Sequence, residues 1–357
     1  MFKNLNWKLI IIVVILLIIS EFVIYSASSM RQDAMSLVAR QGLWMFIGIC
    51  VVIFIISVGY NRLIEAAYPL YIIVFLMLIL VIGFGAQRLG AQRWLSFGFL
   101  NIQPSELAKF VLILTLARFF GFEKQRINQF YFILISIVIV FLFFALVLKQ
   151  PDLGTALSFI PIFFAMVYVG GLGLKYLISL LAAGVIASPF LWNILKGYQK
   201  KRLLVFLNPN IDPLGAGYTI IQSKIAIGSG GLFGKGYLMG TQSQLKFLPE
   251  AHTDFIFAVI AEEWGFVGVF LVMFLYFLLI MEGFNIAYRC KNNYSKLLAT
   301  GVATMFAFHF LVNVSMTTGL LPVVGLPLPF ISYGGSNLII SLAGIGILLS
   351  IDRGLKS

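Results

Sequence analysis

Long apolar runs broken by short polar stretches dominate this chain. Runs of this kind fall at about 8–28, 41–58, 68–85, 104–121, 129–148, 153–171, 174–192, 255–282, 297–316 and 338–351. A helix needs about 20 apolar residues to cross a bilayer, so the pattern predicts about ten membrane-spanning helices. The fifth and sixth runs are parted only by Lys149-Gln150-Pro151-Asp152, where the proline stops one helix and the aspartate is placed to cap the next. One long stretch, 193–254, lies outside the spans and opens on Lys196, Lys200, Lys201 and Arg202. It continues through turn signals (Asn208-Pro209, Asp212-Pro213) and a glycine run at 228–231, with apolar pieces such as 218–227 that predict an ordered, partly membrane-facing segment. A second irregular stretch, 317–337, is rich in proline and glycine. No internal repeat stands out, so an inverted-repeat transporter gains no direct support.

Composition agrees with the pattern. Of 357 residues, 61% are hydrophobic and only 11% charged, against about 25% charged in soluble domains, and the mean hydropathy is +1.02. A disordered chain, a coiled coil and an ordinary cytosolic enzyme are excluded. The expected fold is an all-α polytopic membrane protein, one membrane domain over 1–357 with a single large extracytoplasmic loop at about 193–254. Cys50 lies in an apolar run and Cys290 in a basic loop, so a bridge between them is not expected. Two histidines without a His/Cys cluster make a zinc site improbable. The first apolar run lacks a small-residue cleavage signal and reads as a retained helix.

Charge sets the expected orientation. An even number of spans puts both termini on one side. That side carries Lys3, Lys8, Arg62, Lys124, Arg126, Lys175, Arg289, Lys291, Lys296, Arg353 and Lys356. The short loops of the other side carry Arg31, Arg40, Arg88, Arg93 and Lys149. Eleven against five makes the termini cytoplasmic, and span parity places 193–254 outside.

The unusual polar residues gather on the outer side. They are Arg93 in the second outer loop, Gln103, Glu106 and Lys109 at the head of the fourth span, and Asp152 at the outer break. Glu250, His252 and Asp254 end the long loop, and Ser332 lies in the last outer loop. A site opening outward accounts for the clustering, and each residue also has a structural reading. Glu106 and Lys109 share a helix face and either neutralise each other or leave the lysine free to hold a phosphate. Asp152 either caps its helix or pairs with Lys109. Glu262 and Glu263, inside the eighth span, read first as hydrogen-bonding groups between helices. His309 reads as a satisfied interior histidine, and Glu21 as a packing or interfacial residue. Asp254 sits where a polar loop meets an apolar span. Half-desolvated, it is raised toward the general-base range unless a cation offsets it; the alternative is an ordinary helix cap, for which Asp is a preferred residue.

Several motifs resemble the SEDS family of multi-span peptidoglycan polymerases. They are Gly90-Ala-Gln-Arg-Trp94, Gln103-Pro-Ser-Glu-Leu-Ala-Lys109, Gln150-Pro-Asp-Leu-Gly-Thr155, Leu248-Pro-Glu-Ala-His-Thr-Asp-Phe-Ile-Phe-Ala-Val259 and Leu326-Pro-Leu-Pro-Phe-Ile-Ser-Tyr-Gly-Gly335. The stretches 212–218, 221–231 and 240–243 resemble the elongation branch rather than the division branch. Asn337 and Trp264 depart from the family's usual serine and leucine. The resemblance implies ten helices with both termini inside the bacterial cytoplasmic membrane. It also implies lipid II as substrate, glycan polymerisation at the outer face, and an essential aspartate at Asp254. It extends the cavity to Arg93, Gln103, Glu106, Lys109 and Asp152, and implies a divalent cation (Mg or Mn) whose ligands are unknown. The leaving pyrophosphate would need cations from Arg93, Lys109, the Lys200–Arg202 cluster, Lys224 or the metal. The implied partners are lipid II, the nascent glycan strand, a class B penicillin-binding protein and other membrane proteins of the elongation complex, with no nucleic acid. A lipid II flippase and a non-enzymatic scaffold are the competing classes.

Overall fold

The computed structural model describes residues 5–88, 91–97, 100–122, 130–179, 182, 184, 186, 197–213 and 215–356. Its helices follow the apolar runs: α1 (Trp7–Ser28), α2 (Ala34–Val58), the short α3 (Tyr60–Glu65), α4 (Ala67–Phe84), α5 (Pro104–Phe122), α6 (Phe130–Lys149) and α7 (Leu153–Gly170). The long loop contributes α8 (Gly197–Leu207), α9 (Ala216–Ser229) and the single turn α10 (Thr241–Gln244). Three long helices close the chain: α11 (Ile256–Arg289), α12 (Asn293–Thr318) and α13 (Gly335–Lys356). Eight of the described helices are long and apolar enough to cross a membrane, making this a multi-pass membrane protein. Helix α5 has the same length but carries Glu106, Lys109 and Arg118, and it is packed inside the bundle. Most of the seventh expected span, 174–192, lies outside the described residues, as do Lys3, Lys124, Arg126 and Lys196.

Three differences from the hydropathy reading have local causes. Helix α2 starts at Ala34 rather than near 41, so Arg40 is helical. Helices α11 and α13 run on to Arg289 and Lys356, where basic residues favour the helix C-terminus. The second outer loop forms a three-stranded antiparallel meander, β1 (Ala86–Arg88), β2 (Ala91–Phe97) and β3 (Leu100–Ile102). The fold is helical as expected, with this one small sheet added in a loop. Strands this short leave no hydropathy signal.

Burial sorts the helices. Within their most apolar stretches α12 and α13 are 78% buried, whereas α4 and α6 are 22% and 17% buried. Helices α12 and α13 therefore form the centre, and α4 and α6 present apolar side chains outward, as lipid-facing helices do. Helix α12 packs against α5, α7 and α11, and α13 lies along α2. The α2–α13 contact is close because Gly346 lets the backbones meet: a Cβ there would lie 3.2 Å from the Val52 Cα. Ends are satisfied by side chains: Asn6 accepts from Leu9 N (3.2 Å), and Asn292 from Tyr294 N (3.0 Å).

One break in α11 determines how the long loop docks. Gly265 adopts φ 63°, ψ −160°, a conformation open essentially to glycine alone. The turn at 230–236 fits against this break, with Phe266 N donating to Gly231 O (2.9 Å) and Gly236 N to Glu263 O (3.0 Å). Glu262, just before the break, accepts from Lys235 Nζ (2.7 Å), Thr241 Oγ1 (3.0 Å) and Gln242 N (3.0 Å). Glu263 accepts from Ser26 Oγ on α1 (2.5 Å). Both glutamates therefore join elements, and Glu262 fastens loop to helix rather than helix to helix. Replacing Gly265 by Ala would force φ strain and place a Cβ against the Gly234 backbone. The expected result is a loss of about 2 kcal/mol or more, read as a lowered melting temperature in detergent.

Candidate functional site

The five polar segments singled out by sequence meet at one end of the bundle. Asn6, Glu282, Arg289 and Asp352 cluster at the other end, where Asn6 donates to Glu282 (2.7 Å) and Arg289 to Asp352 (2.7 Å). Asp254 lies two residues before α11 and is partly buried. Its backbone is clamped from two sides. The Asn313 amide of α12 donates to Asp254 O (3.0 Å) and to Leu326 O (2.7 Å). Ser332 Oγ donates to Thr253 O (2.6 Å), and Tyr333 N donates to His252 O (2.9 Å). The carboxylate faces Gly325, where a Cβ would stand 3.3 Å from Oδ2. Asp254 makes no side-chain cap bond to α11, so the ordinary capping reading does not hold.

Burial pushes the Asp254 carboxyl up to about 6, and the charge of Glu250, with a smaller contribution from Asp152, acts in the same direction. Arg93 and Arg202 oppose the rise. Four of the residues singled out by sequence thus surround Asp254 electrostatically, two cationic and two anionic. Burial also pushes His252 below its ordinary value, with Glu250 opposing.

Asp152 and Lys109 are not partners. Asp152 caps α7, accepting from Thr155 N (3.4 Å), and takes further bonds from Gln103 Nε2 and Ser105 Oγ (both 3.1 Å). Arg93 is its ion-pair partner, with Nη1 at 3.7 Å. The same guanidinium donates to the carbonyls of Gln150 and Pro151, tying the β-meander to the α6–α7 break. Lys109, one turn further along α5, donates to Glu106 Oε1 (2.8 Å) and lies 2.9 Å from His309 Nε2. Glu106, Lys109 and His309 are 1–2% exposed. Pro104 starts the helix, and Ser105 and Lys109, four residues apart, lie on the same face one turn from each other. The first turn of α5 therefore serves Asp152 and the next serves α12.

Two further expectations are corrected. Ser332, expected to face substrate, is buried, and its hydroxyl is used on Thr253 O and Leu328 N. It shapes the site from behind. Lys224, expected near the pyrophosphate, is exposed on α9, with its stem over Gly319 at the C-terminal end of α12. There its charge suits the helix end. Asn313 was missed. An uncharged residue within an apolar span gives a sequence reader no reason to single it out.

An Mg or Mn ion held by protein alone requires several carboxylate or imidazole ligands. Among the described residues no three His, Cys, Asp or Glu side chains converge. That count concerns an ion held by protein alone; Mg is more often held by one or two carboxylates together with water and the phosphates of a substrate.

These features define a class: a multi-span helical membrane protein with a carboxylate-centred, cation-flanked site at one membrane face. The chain matches the model of the FtsW/RodA/SpoVE family, described as cell cycle proteins, over residues 6–357, and it belongs to that family. It is 43% identical to the peptidoglycan glycosyltransferase MrdB of Escherichia coli K12, covering 98% of this chain and 93% of MrdB. The rod shape determining protein RodA of Thermus thermophilus superposes with a TM-score of 0.73 at 31% identity, covering 100% and 99% of the two chains. A chain from a peptidoglycan synthase complex, studied for its coordination of polymerization and crosslinking, gives 0.85 at 36% identity, with 99% of each chain covered.

Lys109→Met would leave Glu106 buried with no cation. The expected cost is about 3–5 kcal/mol, seen as a large drop in melting temperature. Adding Glu106→Gln should restore much of it; a lysine needed only for substrate would leave the melting temperature unchanged in the single variant.

Proposed function

We propose that this protein is a peptidoglycan glycosyltransferase that polymerises lipid II into β-1,4 glycan strands for cell elongation, with Asp254 as general base. The observation that carries the reading is the Asp254 carboxyl: raised to about 6, fixed at the rim of the bundle, and flanked by Arg93 and Arg202. A base tuned near the working pH combines sufficient deprotonation with proton affinity. Asp254 takes the proton of the 4-hydroxyl on the N-acetylglucosamine of incoming lipid II. That oxygen attacks the anomeric carbon of the growing chain, the α-linked bond to pyrophosphate breaks, and the new bond is β. Undecaprenyl pyrophosphate leaves, and Arg93 and Arg202 offset its charge. Both substrates are lipid-anchored, so a site at the membrane surface lets their tails remain in the bilayer.

The charge asymmetry of the short loops supports termini in the cytoplasm and a site facing outward. Beneath the site the bundle is closed by the Glu106–Lys109–His309 network, which favours an enzyme working at one face over a flippase. The likeness to a synthase-complex chain supports a class B penicillin-binding protein as the cross-linking partner.

Purified protein in detergent, given lipid II and if required that partner, should yield glycan polymer. A flippase or scaffold would yield none. The rate should fall about tenfold per pH unit below an acid limb near 6. Asp254→Asn should lower polymerisation by at least about 100-fold. Its stability should not fall. With a folded-state pKa above the unfolded value, the stability this carboxyl contributes is greatest in acid and is lost as pH rises through about 6. At neutral pH the neutral amide therefore removes a penalty, and the variant should melt at or above the wild-type temperature. Near-normal polymer from this variant would remove Asp254 from the mechanism.

A further inference from the structure

A second cavity opens on the same end of the bundle, beside the turn that carries Asp254. It holds about 600 Å³ and lies between the α1–α2 turn and the segment ending in His252. Arg31 and Asp33 form one wall, paired at 2.9 Å with both side chains nearly half exposed. Lys246, Glu250 and His252 form the other. His252 is backed by Tyr333, with ring centroids 5.7 Å apart.

The second wall is built at a cost. Lys246 and Glu250 have φ of +59° and +51°, in the left-handed region that non-glycine residues seldom adopt. Both are held there by their surroundings: Lys246 N donates to Ser243 O (3.2 Å), Leu248 N to Gln242 O (3.1 Å) and Phe255 N to Glu250 O (3.3 Å). Strained residues persist where neighbouring structure over-determines them, and they concentrate at working surfaces. Here both strained residues line one cavity.

The chemistry of the walls selects the ligand. Arg31 and Lys246 only donate, and Asp33 and Glu250 only accept when ionised. Two carboxylates disfavour a pyrophosphate, and four charges disfavour a prenyl tail. Donors interleaved with acceptors match a ligand dense in hydroxyl and amide groups, each of which does both. The cavity joins the reaction site through one turn, since Glu250 and His252 precede Asp254 by four and two residues.

We propose that this cavity is a saccharide subsite that retains the N-acetyl amino-sugar units already polymerised, behind the reacting end of the strand. The subsite rests on the polymerase reading above and adds a consequence to it: a strand held between additions is extended repeatedly rather than released. Strand length is then set partly by the Arg31–Asp33 and Lys246–Glu250 walls, separately from the chemistry at Asp254.

The test uses the full chain in detergent with lipid II and compares mean strand length at equal lipid II consumption. Gln32→Trp places a bulky side chain at the exposed rim of the cavity. Asp33→Ala with Lys246→Gly removes one group from each wall, and glycine tolerates the φ of residue 246. Both should shorten strands about fivefold, the effect of losing one or two hydrogen bonds to the retained strand. A second measurement titrates a lipid-free N-acetylglucosamine–N-acetylmuramic acid tetrasaccharide onto wild-type protein and onto Gln32→Trp. Binding by the wild type that weakens about fivefold or more in the variant supports the subsite. Wild-type strand lengths from both variants, or equal tetrasaccharide binding by the two proteins, overturn it. Wild-type protein that makes no polymer sinks the polymerase reading instead, and the tetrasaccharide titration still decides the cavity.

Discussion

The Asn313 amide, donating to the carbonyls of Asp254 and Leu326, is the bond on which the candidate site depends. Irregular backbone near membrane depth is tolerated only where its polar groups find partners inside the protein. Both ends of the site are irregular: the turn entering α11 and the proline-rich segment before α13. Asn313 holds one carbonyl from each. Ser332 and Tyr333 add bonds between the same two segments, and Ser20 donates to the carbonyl of Ile331 from α1 (2.8 Å). The aspartate is thereby fixed through its backbone, which leaves its carboxylate free for chemistry.

That freedom is unusual in this chain. It has thirteen acidic residues, and most of those inside the protein are occupied. Glu106 is paired with Lys109, Glu262 with Lys235, Asp152 with Arg93, and Asp352 with Arg289 and Lys356. Among the described residues no cation lies within ion-pair distance of Asp254; Arg93 and Arg202 act on it from further away. A direct ion pair would hold a carboxylate low and make it a poor base. Cations at a remove keep it titratable and remain available to an anionic leaving group.

The membrane-spanning pattern was legible because hydropathy over twenty residues survives any detail of packing. The convergence of Arg93, Asp152, Glu250 and Asp254 at one end was legible too, because span parity sorts loops by side. Pairing was not. Loop position groups Glu106, Lys109 and Asp152, whereas depth separates them: Ser105 in the first turn of α5 reaches Asp152, and Lys109 one turn deeper reaches Glu106 and His309. The β-meander and the Asn313 clamp escaped for related reasons: one is too short for periodicity, and the other is a single neutral side chain whose importance lies in two distant carbonyls. Ser332 was placed on the right segment, but its hydroxyl direction follows from packing and cannot be read from spacing.

The interior ion pair acquires a use from this arrangement. Burying Glu106 and Lys109 is costly, and a well-packed apolar pair would often be as stable or more so. What an apolar pair would not supply is register. Lys109 bonds His309, and Asn313 lies four residues further along α12, on the same face. Fixing α5 against α12 at Lys109 therefore fixes where Asn313 meets the Asp254 turn. The first turn of α5 meanwhile holds Asp152, through Ser105, and with it Arg93. One helix thus sets both the aspartate's backbone clamp and the nearby guanidinium. A slip of α5 by a single residue would displace both at once, because Ser105 and Lys109 stand one turn apart on the same face of one helix.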